Sequence, residues 1–453
     1  MKNVFKLNAS MIEDSIWKSI ILFSVPILIG TLIQQFYNTA DSIIVGRFVS
    51  SEALAAVGAS SAITSGITYF FQGFTNGSTV LISRFYGAKA EQEVKQSVDT
   101  SILIGIISGL VLTILFLPIT HLLLVLTLTP QEILGMSNIY FQIVVTGFIA
   151  MALYNTGTAI LRAIGDSVRP LIYLVIASLL NIVLDLIFVC IFQMGVAGAA
   201  IATIISQYVS AILVIIRLIT VKDVYSIHLL KLKFNPALCS DIIRIGIPSG
   251  IRNGMVSFAC ILLQSQVNSF GTLATAGYTA GSRIVDFMYM PGGAFSMAAT
   301  TFTSQNIGAG QYERIKQCSR VCIILNTLFT FGFALIAYLG QVPIISLFTS
   351  DPQVYTYASW MLLIVGLPSF LWGIQEVYAG FITGSGNSFT PMVIVMVNLC
   401  IIRLLWIYIM LIFIRDIRIV YSGFPVSWIS GCICMICYYV KKPWLEKAIQ
   451  SRG

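Results

Sequence analysis

Twelve long apolar runs divide this sequence, at 16–45, 53–83, 98–120, 132–160, 169–192, 196–220, 242–270, 273–305, 318–340, 354–382, 390–414 and 419–440. About 20 apolar residues cross the hydrocarbon core of a bilayer as a helix, and every run is longer than that. A water-soluble fold lacks the polar surface to cover them: only 10% of the residues are charged, against about 25% in an average soluble domain. The same arithmetic excludes a disordered chain and a disulfide scaffold. The predicted class is an all-α integral membrane protein with twelve transmembrane helices. Pro26, Pro248, Pro291 and Pro368 lie inside runs. They do not break the assignment, because neighbouring helices in a bundle satisfy the backbone groups a proline frees. The run that begins near Ile16 is too long for a signal peptide and reads as the first membrane helix.

Lysines and arginines orient the runs. With the N-terminus placed in the cytoplasm, twenty of them fall in inner segments. Three fall in outer segments (Arg47, Arg415, Arg418), and Arg252, Arg283 and Arg403 lie within runs. The bias predicts a multi-pass protein of the plasma (inner) membrane with both termini cytoplasmic. It also accounts for the net charge of +8 as membrane topology, so no nucleic-acid partner is expected.

The sequence repeats itself. Ser83-Arg-Phe-Tyr-Gly87 aligns with Ser304-Gln-Asn-Ile-Gly308, and Gly165-Asp-Ser-Val-Arg-Pro170 with Gly386-Asn-Ser-Phe-Thr-Pro391, both at a shift of 221 residues. Pro26 and Pro248 stand 222 apart. The division that follows is an N-terminal lobe of six helices (1–220), a basic cytoplasmic linker (221–241) and a C-terminal lobe of six helices (242–453). Six is even, so the halves enter the membrane with the same orientation, as parallel repeats. Two such lobes are expected to leave a central cleft, which alternating access requires.

Acidic residues inside membrane spans are costly and mark function. Asp41, Asp185, Asp286 and Glu376 stand out here. Gln34, Tyr37 and Asp41 share one helical face, and Asn181 and Asp185 another. Two carboxylates in one cavity repel, so one is expected to hold a proton near neutral pH. The same oxygens, with amide and hydroxyl side chains, also suit Na⁺. An exposed outer-interface position is the competing reading for Asp41, which lies about 35 Å along a helix from Lys18 at the usual rise per residue. Arg283 and Asp286 are i, i+3 neighbours, expected either to neutralise each other or to take a transport role. Glu376 is expected either to take a transport role or to pair with Arg403.

The chain resembles the multidrug and toxic compound extrusion (MATE) family over nearly its whole length. The matching stretches are Phe36-Tyr-Asn-Thr-Ala-Asp41, Glu52-Ala-Leu-Ala-Ala-Val-Gly58, Leu161-Arg-Ala-Ile-Gly-Asp166 through Pro170, and Gln305-Asn-Ile-Gly-Ala309. The resemblance implies V-shaped lobes around the cleft. It implies efflux of organic, often cationic, compounds, driven by inward H⁺ or Na⁺, with no other cofactor. The DinF-like branch of the family has a site in the N-terminal lobe. By that resemblance Tyr37, Asp41, Asn181, Asp185, Asn155 and Thr203 form it here, with Na⁺ at Asp41, Asn181 and Asp185 as one occupant and Pro26 as a hinge. NorM-like members carry an acidic residue after the helix 7 proline. Here that stretch, Ile247 to Ser257, has no carboxylate and contains Arg252, so the DinF-like branch is favoured.

Other chemistries find little support. Cys434-x-x-Cys437 sits in an apolar run with no second pair, and reads as buried small hydrophobes. His121 and His228 are the only histidines, which leaves no histidine-based metal or hydrolase site. No glycine turn has the phosphate-loop spacing, so ATP-driven export is rejected, and the runs offer neither a metal cluster nor a Ser-His pair, so no enzyme is expected. Tyr69, Phe70, Phe71, Phe287, Tyr289 and Phe295 are candidates to line a cleft for amphipathic small molecules. The expected partners are such substrates and membrane lipids, and the expected state is a monomer. A lipid-linked oligosaccharide flippase of the same superfamily is the rival function.

Overall fold

The computed structural model describes residues 10–349, 351–441 and 443–450. Among them the chain is helical, with no strand. Twelve long segments correspond to the twelve apolar runs. They are α1 (Ile16–Phe48), α2 (Ser51–Gly87), α3 (Glu91–Leu126), α4 (Gln131–Thr146 then Phe148–Ala163), α5 (Val168–Ile191) and α6 (Gly195–Thr220), followed by α7 (Pro236–Asn268), α8 (Thr272–Ala309), α9 (Tyr312–Leu339), α10 (Pro352–Gly366 then Ser369–Gly384), α11 (Phe389–Phe413) and α12 (Ile417–Val440). Eight of them are long and apolar enough to cross a membrane by themselves, and the two bent pairs, α4 and α10, bring the number to ten. The bends have local causes. The 46° bend of α4 falls at Gly147, and the 40° bend of α10 at Pro368, whose ring removes a helical hydrogen bond. By contrast, α1 runs unbroken through Pro26.

The outer faces carry large exposed hydrophobics such as Ile114, Ile216, Leu328, Ile336 and Ile412. This is the surface a helix presents to lipid rather than water. Cys434 and Cys437 lie on such a face and are exposed and unpaired, not buried as the sequence suggested. Only one side of α12 is covered by protein, and these two thiols stand on the other.

The duplication extends to single hydrogen bonds. Ser83 donates Oγ to the Ala163 carbonyl at 2.9 Å, and Ser304 donates Oγ to the Gly384 carbonyl at 2.6 Å. Asp166 accepts from the Arg169 N–H that opens α5, and Asn387 from the Thr390 N–H that opens α11, both at 3.2 Å. Gly165 and Gly386 both turn the chain with positive φ, 92° and 96°, a region where a Cβ is strained. At the other end, Asp416 caps α12 through the Arg418 N–H. The Arg418 guanidinium bonded to it holds that carboxyl below the usual carboxylate range.

Packing divides the chain into two units. One is Ile29–Gly250; the other is the described part of 9–28 together with 251–450. By sequence the expected division falls at 221–241, whereas the packing units exchange the first parts of α1 and α7. The change of unit comes just after Pro26 in α1 and just after Pro248 in α7. Within the second unit, Ile20, Phe23 and Ile27 of α1 join a core with Phe295, Ala298 and Phe302 of α8. Within the first, α7 meets α2 along a glycine seam. A Cβ on Gly77 would stand 2.2 Å from the Ile242 carbonyl oxygen, and one on Gly73 2.4 Å from that of Ser249. From the α7 side, a Cβ on Gly246 would stand 2.5 Å from the Phe74 carbonyl oxygen, and one on Gly250 2.8 Å from that of Phe70. Each helix thus contributes a Gly-x-x-x-Gly pair, the pattern that lets membrane helices bring their backbones together.

Candidate functional site

The first unit buries a polar cluster in apolar surroundings. Asp41 of α1 is 8% exposed, and Asp185 and Asn181 of α5 are 0% and 1% exposed. The burial of Asp41 removes the reading of an exposed interface carboxylate. Helical spacing explains each pair: Tyr37 and Asp41 lie one turn apart on α1, and Asn181 and Asp185 one turn apart on α5. The two carboxyls face each other as direct neighbours. With its amide turned so that both ends are satisfied, Asn181 donates Nδ2 to Asp185 Oδ2 at 3.0 Å and accepts at Oδ1 from the Thr203 backbone N–H of α6 at 3.3 Å. The Tyr37 hydroxyl lies against the Thr203 side chain.

The chemistry of the cluster is set by what it lacks. Asp41 Oδ1 and Asp185 Oδ1 are buried without a hydrogen-bond partner among the described residues. Neither carboxyl takes part in an ion pair there. Buried carboxylate oxygens without a donor are costly, and two like charges in contact cannot both persist in a low dielectric. The arrangement therefore suits a proton or a small cation: a hydrogen bond between the acids, or oxygen ligation by both with Thr203 and Asn181. In α5 the helix widens to i→i+5 spacing directly after Asp185, over Leu186–Ile191, a local irregularity frequent at functional sites.

Not every candidate joins this cluster. Asn155 turns its amide back along α4, donating to the Met151 carbonyl at 2.8 Å. Gln34 remains exposed on α1. Conversely, Tyr140 of α4 is 5% exposed and neighbours Asp41, Tyr37 and Asp185. It stands beside Phe141 in an apolar run, where nothing in the sequence separates it from a packing aromatic. Of the proposed cleft aromatics, Phe71 and Phe295 are both 2% exposed and belong to hydrophobic cores. Tyr289 packs against Trp372 and Trp428, with ring centroids 4.9 and 6.0 Å away.

The second unit pairs its charges differently from expectation. Glu376 of α10 meets Arg252 of α7 at 3.5 Å, not Arg403. Arg403 of α11 instead donates Nε and Nη2 to Ser427 Oγ of α12 at 3.0 and 2.9 Å. Arg283 and Asp286 are electrostatic neighbours on α8, but they form no ion pair among the described residues. The reason is that sequence spacing finds partners within a helix, whereas these partners come from different helices. Arg252 and Glu376 are both largely buried, so removing one charge strands the other. Glu376→Gln is expected to destabilise the protein by about 3 kcal/mol, and Arg252→Met with Glu376→Leu by less than either single change. Thermal unfolding of the three variants checks this; a double variant as costly as the two singles added together contradicts it.

A duplicated helical membrane protein that buries a cluster of oxygen ligands at membrane depth has the features of a transporter. A family model described as MatE matches the chain twice, over residues 26–187 and 248–409, and the chain belongs to that family. The two matches begin at Pro26 and Pro248. "Probable multidrug resistance protein YoeA" of Bacillus subtilis (strain 168) is 28% identical over 445 residues, covering 96% of each chain. "Probable multidrug resistance protein NorM" of Thermotoga maritima is 26% identical over 448 residues, covering 96% of this chain and 94% of the relative. A solved structure described as the outward-facing conformation of a multidrug resistance MATE family transporter of the MOP superfamily superposes with a TM-score of 0.89 at 24% identity. It covers 97% of this chain and 98% of its own, which establishes the twelve-helix fold.

Proposed function

We propose that this protein exports amphipathic, often cationic, organic compounds across the plasma membrane by alternating access, as a monomer with both termini cytoplasmic. Inward flow of H⁺ or Na⁺ drives it. The observation that carries the reading is the buried Asp41–Asp185 pair with its unpartnered oxygens. With the pair charged, the site attracts a cation; with a proton or Na⁺ bound, that attraction is cancelled. Substrate and coupling ion thus exclude each other, which is the condition for antiport. The printed names of the relatives, multidrug resistance and export proteins, support the substrate class.

Placement of the carboxyls in the first unit, and the lack of a carboxylate between Ile247 and Ser257, where NorM-like members carry one, support the DinF-like branch. A pyrophosphate-linked saccharide is disfavoured, because the buried polar cluster of this unit is acidic and has the wrong sign for such a ligand. The test is dye transport by proteoliposomes under an imposed pH gradient or an imposed sodium gradient. One of the two is expected to drive dye against its concentration; movement under neither overturns the proposal.

A further inference from the structure

Arg403 is the buried charge that this mechanism leaves unused. It is 3% exposed. Its guanidinium carbon lies 4.4 Å from the centroid of the Phe424 ring. Among the described residues Ser427 is its hydrogen-bond partner, and no carboxylate forms an ion pair with it. A guanidinium has five N–H donors, and one serine hydroxyl cannot satisfy them. A buried charge without an ionic partner at membrane depth marks a ligand or transport path.

The internal repeat says what Arg403 replaces. The two family matches are offset by 222 residues. At that offset Asp41 corresponds to Leu263 and Tyr37 to Ala259; Asn181 and Asp185 fall at Arg403 and Ile407, or one residue earlier by the 221-residue shift of the Gly165 and Gly386 turns. Leu263 and Ile407 are fully buried in one hydrophobic cluster with Phe424. In α11 the stretch Val397–Ile402 has i→i+5 spacing, and the Arg403 N–H donates to the Asn398 carbonyl. The second unit thus has apolar side chains where the first has its two carboxylates, and a permanent cation at or beside the counterpart of Asn181. Asp286, exposed on α8, neighbours Cys260, Tyr278 and Tyr289, the same groups that flank Arg403.

We propose that Arg403 is the centre of a second ligand subsite, within the C-terminal unit, that takes an oxyanion, carboxylate or phosphate, carried by an amphiphile. Phe424, Tyr278 and Tyr289 offer the apolar and aromatic wall for its body, and Asp286 favours a zwitterion over a dianion. The subsite widens the substrate class of the transport reading, on which it rests, from cations to zwitterionic compounds.

The test uses the full chain purified in detergent, with no ion gradient. Binding of rhodamine B, which has a free carboxylate, is compared with that of its ethyl ester by fluorescence anisotropy. In Arg403→Gln the acid is expected to bind about 10-fold more weakly or worse while the ester changes less than about 2-fold, because a charge-assisted hydrogen bond is lost from one ligand only. Arg403→Lys keeps the charge, is expected to retain part of the acid preference, and serves if the Gln variant does not fold. A parallel arm competes the dye with dihexanoyl phosphatidic acid against dihexanoylglycerol, to separate a phosphate headgroup from a carboxylate. Arg403-dependent binding of either acid supports the subsite and identifies its source. Acid-to-neutral affinity ratios that are the same in wild type and both variants, for dye and lipid alike, overturn it. Failure of the transport reading is seen separately, as absence of gradient-driven dye movement by the wild type.

Discussion

Asp41→Asn is expected to reduce cation-driven dye efflux to background while leaving membrane insertion intact, and Asp185→Asn to do the same. Asparagine matches the carboxyl in shape, so the packing of α1 against α5 and α6 survives. It cannot take up and release a proton, and an amide is a weaker ligand for Na⁺ than a charged oxygen. In either variant the remaining acid loses the like-charged neighbour that makes the pair sensitive to a proton or cation. The measurement is efflux under the gradient that drives the wild type, with protein amount in the membrane as control. Wild-type rates in Asp41→Asn would remove the carboxyl pair from the coupling mechanism. Tyr140→Phe is a useful comparison, since it removes a hydroxyl beside the same pair without touching either acid.

The largest structural effect is expected at the glycine seam. In Gly77→Ala the new methyl would lie 2.2 Å from the Ile242 carbonyl oxygen and 3.0 Å from its carbon. Both are backbone atoms, so no rotamer relieves the clash and α2 and α7 must separate. Overpacking of this kind costs about 1–3 kcal/mol. The neighbouring contacts at Gly73, Gly246 and Gly250 loosen with it. The unfolding temperature in detergent is expected to fall by about 5 °C or more. A shift of less than about 1 °C, within the scatter of ordinary surface changes, would show that the helices tolerate a wider spacing. Gly58→Ala is the matched control, because nothing lies within 4 Å of a Cβ at that position.

Much of this protein was legible along the chain. The apolar runs mark the twelve helices, because the bilayer demands length and hydrophobicity from each segment separately. The repeat shows itself in the Gly165 and Gly386 turns and in the Ser83 and Ser304 hydroxyls, each tied to its own short motif. Tyr37 with Asp41, and Asn181 with Asp185, are readable as pairs since helical periodicity places them on shared faces. The assembly of those faces into one cluster, with Thr203 inside it and Asn155 and Gln34 outside, is not readable in the same way. Nor is the contribution of Tyr140.

What the amino-acid order determined by itself is therefore the membrane class, the twelve spans, the duplication and the few acids that had to be functional or paired. The tertiary structure decided the partners: Asp41 with Asp185, Arg252 rather than Arg403 with Glu376, and the exchange of units by α1 and α7 just past their prolines. The physical reason is that periodicity fixes which residues share a face of one helix. It leaves free how each helix rotates and which neighbour it meets, and both are set by close packing, such as the backbone contact at Gly77.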